Sequence, residues 1–264
     1  MVRREWKLAQ GSDGPETQSE ERKLIDEQGK RTDGRGPNEM RPLRLEVGML
    51  RNADGSAYIE LGKNKIVAAV YGPKEVHPRH LVLPDRMLVK CRYHMSPFSV
   101  EERKPPQPSR REIEISKVIR EALEAAIMVD QFPRTALDVF VEVLESDGGS
   151  RGASITAASL ALANAGIPMR DMVAACAVGK VDGQIVLDLN DVEDKEGEVD
   201  MPVAYMPNLD RITLLQMDGK LTIDEFKRAL DLALQGCRQL YEAQRKVLYA
   251  HYFSSSTSGE QKGQ

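Results

Sequence analysis

Apolar and polar residues alternate along 41–50, where Leu43, Leu45 and Val47 fall on one side. A period of two predicts a strand with one buried face. The turn 52–55 ends in Asp54-Gly55, a hairpin signal, and a second alternating run follows at 56–61. Residues 65–71 are rich in β-formers and give a third strand, and 86–93 supply a fourth. The period then changes. Ile115, Val118, Ile119, Ala122, Leu123, Ala126 and Ile127 recur at helical spacing, which predicts a helix from about Ser109. A strand at 136–144 is followed by a small-residue apolar run at 153–165, closed by Gly166 and Pro168 and read as a buried helix. Strands are expected at 172–181 and 185–189 around Asp182-Gly183, and again at 201–206 and 211–217. Thr222 and Glu225 have capping-box spacing and open a long helix with Phe226, Leu230, Leu234, Cys237, Leu240 and Val247 inward. The order predicts an α+β chain whose two halves are alike in outline, strands followed by a long helix. Polar, charged ends suggest a flexible arm over 1–20, a short helix near 20–27 and a flexible tail over 253–264.

Between the strand at 136–144 and the helix at 153–165 lies Ser-Asp-Gly-Gly-Ser-Arg-Gly-Ala-Ser, residues 146–154. Glycines let backbone approach a ligand, and the N–H groups of a first helical turn point outward with a dipole that favours anions. Ser150 can donate a hydrogen bond, and Arg151 can grip phosphate with two. A tight turn with an ordinary cap would carry the same residues, so this stretch alone leaves both readings open.

Composition narrows the field. The chain has 264 residues, 41% of them hydrophobic, enough for one large or two small globular domains. Thirty-seven basic against 41 acidic residues give a net charge of −4, so nucleic-acid binding would need a local basic patch. Three scattered cysteines form neither a disulfide framework nor a zinc pattern and suit a reducing, cytoplasmic setting. No apolar run reaches membrane-spanning length, and the N-terminus lacks a signal-peptide core.

Three further stretches carry candidate chemistry. The loop after the third strand holds Lys74, His77, Arg79 and His80, a set suited to phosphate and base contact, though on composition alone a solvated turn is the preferred reading. Arg110 and Arg111 open the first long helix, where the dipole disfavours cations unless an anion binds there. The acidic run 188–200 contains Asp194 and Asp200; Glu193, Glu196 and Glu198 are expected to be solvated, whereas Asp200 leads into an apolar strand. Two carboxylates of this run beside the glycine turn would suit Mg²⁺, or one of them a general acid for a leaving oxygen.

Three motifs in order carry a family resemblance: 109–120 (Ser-Arg-Arg-Glu-Ile-Glu-Ile-Ser-Lys-Val-Ile-Arg), 147–151 (Asp-Gly-Gly-Ser-Arg), and Glu193-Asp194 with Asp200-Met201-Pro202-Val203. Over about residues 20–250 the chain resembles the ribonuclease PH family. Through 77–80, 92–95 and the Arg110-Arg111 pair it looks more like the catalytic ring subunit of the archaeal exosome than like the bacterial tRNA-trimming enzyme. The resemblance implies a two-layer α+β fold of duplicated strand-strand-helix halves, as in domain 2 of ribosomal protein S5. It would form one catalytic unit over 21–252 with halves 21–165 and 166–252. It implies phosphorolysis of single-stranded RNA from the 3′ end, releasing nucleoside diphosphates, with tailing as the reverse reaction. Residue by residue, it implies that inorganic phosphate is held by Gly149, Ser150, Arg151 and Arg111. Asp194 and Asp200 would serve metal binding (Mg²⁺ or Mn²⁺) and acid catalysis, and Arg110 and Arg79 would contact RNA. The implied partners are a homologous inactive ring subunit, in a hexameric ring of three heterodimers, and RNA-binding cap subunits. The alternatives are a non-catalytic RNA-binding ring subunit, a bacterial-type enzyme acting on tRNA ends, and an unrelated nucleotide-binding module.

Overall fold

A computed structural model describes residues 23–26 and 28–257. The expected arm over 1–20 and the end of the expected tail lie outside the described residues. The first sheet contains β1 (Leu43–Val47), β2 (Gly55–Leu61), β3 (Asn64–Glu75), β4 (Leu88–Met95) and β5 (Thr135–Glu145), in the order β1-β2-β3-β5-β4. The first three make the expected antiparallel meander. β4 and β5 run parallel, with Tyr93 opposite Val141. A parallel pair needs a crossover, and α1 (Arg110–Glu124) supplies it. The second sheet comprises β6 (Ala174–Val181), β7 (Gln184–Leu187), β8 (Val199–Met206), β9 (Arg211–Leu215) and β10 (Asp218–Gly219), all antiparallel.

Helix α2 (Ser150–Asn164) joins the halves, and every residue from Gly152 to Leu162 is buried. Its side chains are mostly small, so both sheets can approach closely. Its hydroxyls satisfy backbone across the junction: Thr156 accepts from Ala175 N–H at 3.0 Å and Ser159 from Val173 N–H at 2.8 Å. The two faces of β6 enter different cores. Ala175 joins the core of the first sheet with α1 and α2, while Cys176 and Val178 pack with Ala233, Cys237 and Leu240 of α4 (Ile223–Thr257).

Several boundaries differ from expectation. α2 starts at Ser150 rather than 153, which puts Ser150 and Arg151 in its first turn. β8 starts at Val199 and so takes in Asp200, opposite both Gly179 and Asp218. The last helix continues to Thr257, past the expected start of the tail. Residues 23–26 are not helical; Leu24 and Ile25 are buried, and their amides donate to Asp182 Oδ2 at 2.7 and 2.8 Å.

One expectation fails for a clear physical reason. The acidic run contains a short helix, α3 (Asp191–Glu196), and Glu193 is not solvated but 1% exposed. Arg31 reaches it from the N-terminal segment, with Nε 2.8 Å from Oε1, and also donates to the Leu187 and Asp188 carbonyls. Glu196 and Glu198 are exposed as expected. Both charges of the Arg31–Glu193 pair are sealed from water, so deleting one strands the other. Arg31→Ala should therefore cost about 3–5 kcal/mol of stability in denaturant titration. A loss below about 1 kcal/mol, the range of an exposed pair, would mean that water reaches Glu193.

Candidate active site

The glycine turn is shaped from behind. Gly148 (φ +70°) and Gly149 (φ +62°) both adopt the left-handed conformation, and a Cβ on Gly148 would lie 2.5 Å from the Asn190 carbonyl carbon. Asn64 Nδ2 donates to the Gly148 carbonyl at 2.6 Å, and its Oδ1 accepts from Asp147 N–H at 2.6 Å. Arg41 donates to the carbonyls of Asp147 and Gly148 and pairs with Asp188 at 2.7 and 2.9 Å. In a trans peptide the N–H points opposite to the C=O. Drawing the Asp147 and Gly148 carbonyls towards Arg41 therefore turns the Gly148 and Gly149 amides the other way. The first bond inside α2 is donated by Gly152 to the Gly149 carbonyl at 3.1 Å, which leaves the Ser150 and Arg151 amides ahead of the helical ladder.

Arg111 comes from the start of α1. Ser109 caps that helix and Glu112 closes the box, with Oε2 accepting from Ser109 N–H at 2.6 Å. Oε1 accepts from Met95 N–H at 2.8 Å, which pins the first turn of α1 to the end of β4. The hydrogen bonds that Glu112 accepts more than offset its burial and hold its carboxyl below the usual range. It therefore remains a charged cap beside two exposed arginines.

The second half supplies the acids. Asn190 caps α3 in a box with Glu193, which places Asp194 in the first turn. Burial pushes the Asp194 carboxyl up, Arg111 pulls it down, and Asp191 and Arg151 act in turn. Burial also raises Asp200, to about 6; Asp194 adds to the rise, and Arg151 and Arg111 oppose it. Arg111 and Arg151, from two different helix starts, thus act on both aspartates, from α3 and β8.

The structure therefore gathers six of the eight expected site residues: Arg111, Gly149, Ser150, Arg151, Asp194 and Asp200. Arg110 is exposed one position from Arg111, and Arg79 lies on an exposed single turn at Arg79–Leu81. Among the described residues, neither is one of the groups that chiefly act on the aspartates. Sequence reasoning missed the supporting residues Arg31, Arg41, Asn64, Asp188, Tyr93 and Gln216. Gln216 Oε1 accepts from Arg151 Nη1 at 2.6 Å, and the buried Arg151 Nε has no hydrogen-bond partner among the described residues. Arg31 lies in the Arg- and Gly-rich cluster 31–37, Tyr93 in the stretch 92–95 and Asp188 at the head of the acidic run, whereas Arg41, Asn64 and Gln216 carry no sequence signal.

Chemically, one wall offers two guanidiniums, free amides and a hydroxyl to an anion. The facing wall offers two carboxylates that repel each other, and either a shared cation or a retained proton relieves that repulsion.

The model of the 3′ exoribonuclease family, domain 1, matches residues 39–168, and that of domain 2 matches residues 171–236. The protein called exosome complex component Rrp41 in Thermococcus onnurineus is 63% identical over 233 residues, covering 88% of this chain and 94% of its own. Its counterpart in Cenarchaeum symbiosum is 61% identical over 230 residues, covering 87% and 95%. Among solved structures, rice Rrp46 superposes with a TM-score of 0.74 at 25% identity, covering 83% of this chain and all of that one. A chain of the Archaeoglobus fulgidus exosome, solved with RNA bound to the active site, has the same fold, with a TM-score of 0.72 at 24% identity over 82% and 93%. With both domains matched in order and relatives this similar along nearly their whole length, the chain belongs to the RNase PH family of 3′ exoribonucleases.

Proposed function

We propose that this chain is the catalytic ring subunit of an archaeal exosome and that it shortens RNA from the 3′ end by phosphorolysis. The names of its relatives support the assembly. The chemistry rests on one observation: the two arginines at helix starts act on both members of the acidic pair. Inorganic phosphate sits at Gly149, Ser150, Arg151 and Arg111. One of its oxygens attacks the phosphorus of the last phosphodiester, a P–O bond forms, and the bond to the 3′ oxygen of the preceding nucleotide breaks. That oxygen takes a proton, and a nucleoside diphosphate leaves. Nucleophile and target are both anionic, so the barrier is largely repulsion, which arginines and helix-start amides offset.

Asp194 and Asp200 fit a divalent cation, Mg²⁺ or Mn²⁺. Both are partly buried carboxyls raised chiefly by that burial, Asp194 adds to the rise of Asp200, and no larger cluster of metal-ligating side chains exists among the described residues. Two carboxylates with remaining positions for water and phosphate oxygens suit Mg²⁺. The ion would supply positive charge at the reacting oxygens. Asp200, raised to about 6, also suits the proton donor for the leaving oxygen.

Arg110 and Arg79 contact the RNA backbone on its way in, with little base preference. The working particle is a hexameric ring of three heterodimers with a homologous inactive subunit, topped by RNA-binding caps. Within it, residues 21–252 form one catalytic unit of two halves. No described helix is long and apolar enough to cross a membrane, and we place the particle in the cytoplasm.

The decisive assay incubates the full chain, alone and with a ring partner, with 3′-labelled RNA and Mg²⁺. Nucleoside diphosphates should appear only when phosphate is added; monophosphates formed without phosphate would sink the reading. Asp200→Ala should cut turnover about a hundredfold or more while RNA binding persists in a gel-shift titration. Unchanged turnover would remove Asp200 from the chemistry. Arg151→Ala should raise the phosphate concentration needed for half-maximal rate by about ten- to a hundredfold, the range for a charge-assisted hydrogen bond. An unaltered requirement would place phosphate elsewhere.

A further inference from the structure

Tyr93 bonds to both of the helices whose starts form the site. It lies on β4 and is 2% exposed. Its phenol oxygen is 3.0 Å from Ser150 Oγ, in the first turn of α2. Its backbone N–H donates to Ser116 Oγ at 2.9 Å, and Ser116 donates in turn to the Glu112 carbonyl in α1 at 2.6 Å. Two residues along β4, Met95 N–H reaches the Glu112 carboxylate. Main-chain bonds thus fix β4 to the α1 start that carries Arg111, and one phenol links β4 to the α2 start that carries Arg151.

We propose that Tyr93 is a positioning residue for the phosphate nucleophile: its hydroxyl donates to Ser150 Oγ, aims the Ser150 hydrogen at phosphate, and holds the two arginine-bearing helix starts at one spacing. The proposal rests on the phosphorolytic reading above. The direction of the bond follows from donor counting. A serine hydroxyl has one hydrogen, and the phosphate oxygens that bind it are acceptors. With phosphate bound, Ser150 gives its only hydrogen to the anion. The 3.0 Å contact is then possible only with Tyr93 as donor. A chain of donors of this kind polarises along its length, which strengthens the terminal bond to the anion. Burial chiefly raises the Tyr93 phenol, so the group keeps its proton and stays a donor despite the nearby charges of Arg111 and Arg151.

Tyr93→Phe removes one oxygen and keeps the ring in its core. In whichever form of the wild-type protein shows phosphate-dependent release, this variant should raise the KM for inorganic phosphate about three- to tenfold. Its kcat at saturating phosphate and its Kd for RNA should stay near wild type. Because Tyr93 acts through Ser150, the substitution should add nothing in a Ser150→Ala background, whereas Ser150→Thr, which keeps the hydroxyl, should preserve the effect. A wild-type KM for phosphate in Tyr93→Phe would overturn the assignment. So would an equal further rise in the Ser150→Ala background, or a fall in kcat and RNA affinity without a change in KM, the signature of a merely structural loss. If the wild-type protein shows no phosphate-dependent release in any form, the phosphorolytic reading itself fails and takes this assignment with it.

Discussion

The site depends on a buried, doubly hydrogen-bonded pair between Arg41 and Asp188. Arg41 lies two residues before β1 of the first sheet, and Asp188 follows β7 of the second. Burying two charges is costly unless the remaining donors and acceptors are also satisfied. Here they are. Asp188 also accepts from the Arg41 backbone N–H at 2.8 Å, and Arg41 spends its other donors on the carbonyls of the glycine turn. One guanidinium thus joins the two halves and sets the orientation of the glycine-turn backbone. The Arg31–Glu193 pair repeats the device one step further on, locking the start of α3 and hence Asp194.

This arrangement explains why the acids and the arginines come from different halves. Opposite charges brought together within one flexible loop would collapse onto each other. Here each is carried on a rigid element, at the start of α1, α2 or α3 or within β8, and the packing of α2 between the sheets sets their separation. The raised Asp200 carboxyl is the electrostatic consequence. Partial burial beside Asp194 outweighs the pull of two arginines that stand off instead of closing salt bridges.

Much of the architecture was legible along the chain. The alternating runs, the helical stripe from Ile115 and the Thr222–Glu225 box each correspond to an element, because period and capping are local properties. Boundaries slipped where tertiary contacts decided them. α2 begins three residues early because left-handed Gly149 caps it, and β8 extends back through Asp200 to Val199 because strands on both sides pair with these residues. The solvated reading of Glu193 failed because its partner, Arg31, lies 162 residues away.

By itself, the chain determined the fold class, the family likeness, and which glycines, arginines and aspartates are worth grouping. It could do so because periodicity and motif spacing are written in neighbouring residues. Only the tertiary structure decided that six of those residues converge, and that Arg41, Asn64 and Gln216 hold them in place. It also revealed that a buried tyrosine touches the serine of the glycine turn. Such pairings join residues tens of positions apart, and their energies depend on burial and distance, neither of which leaves a local mark on the sequence.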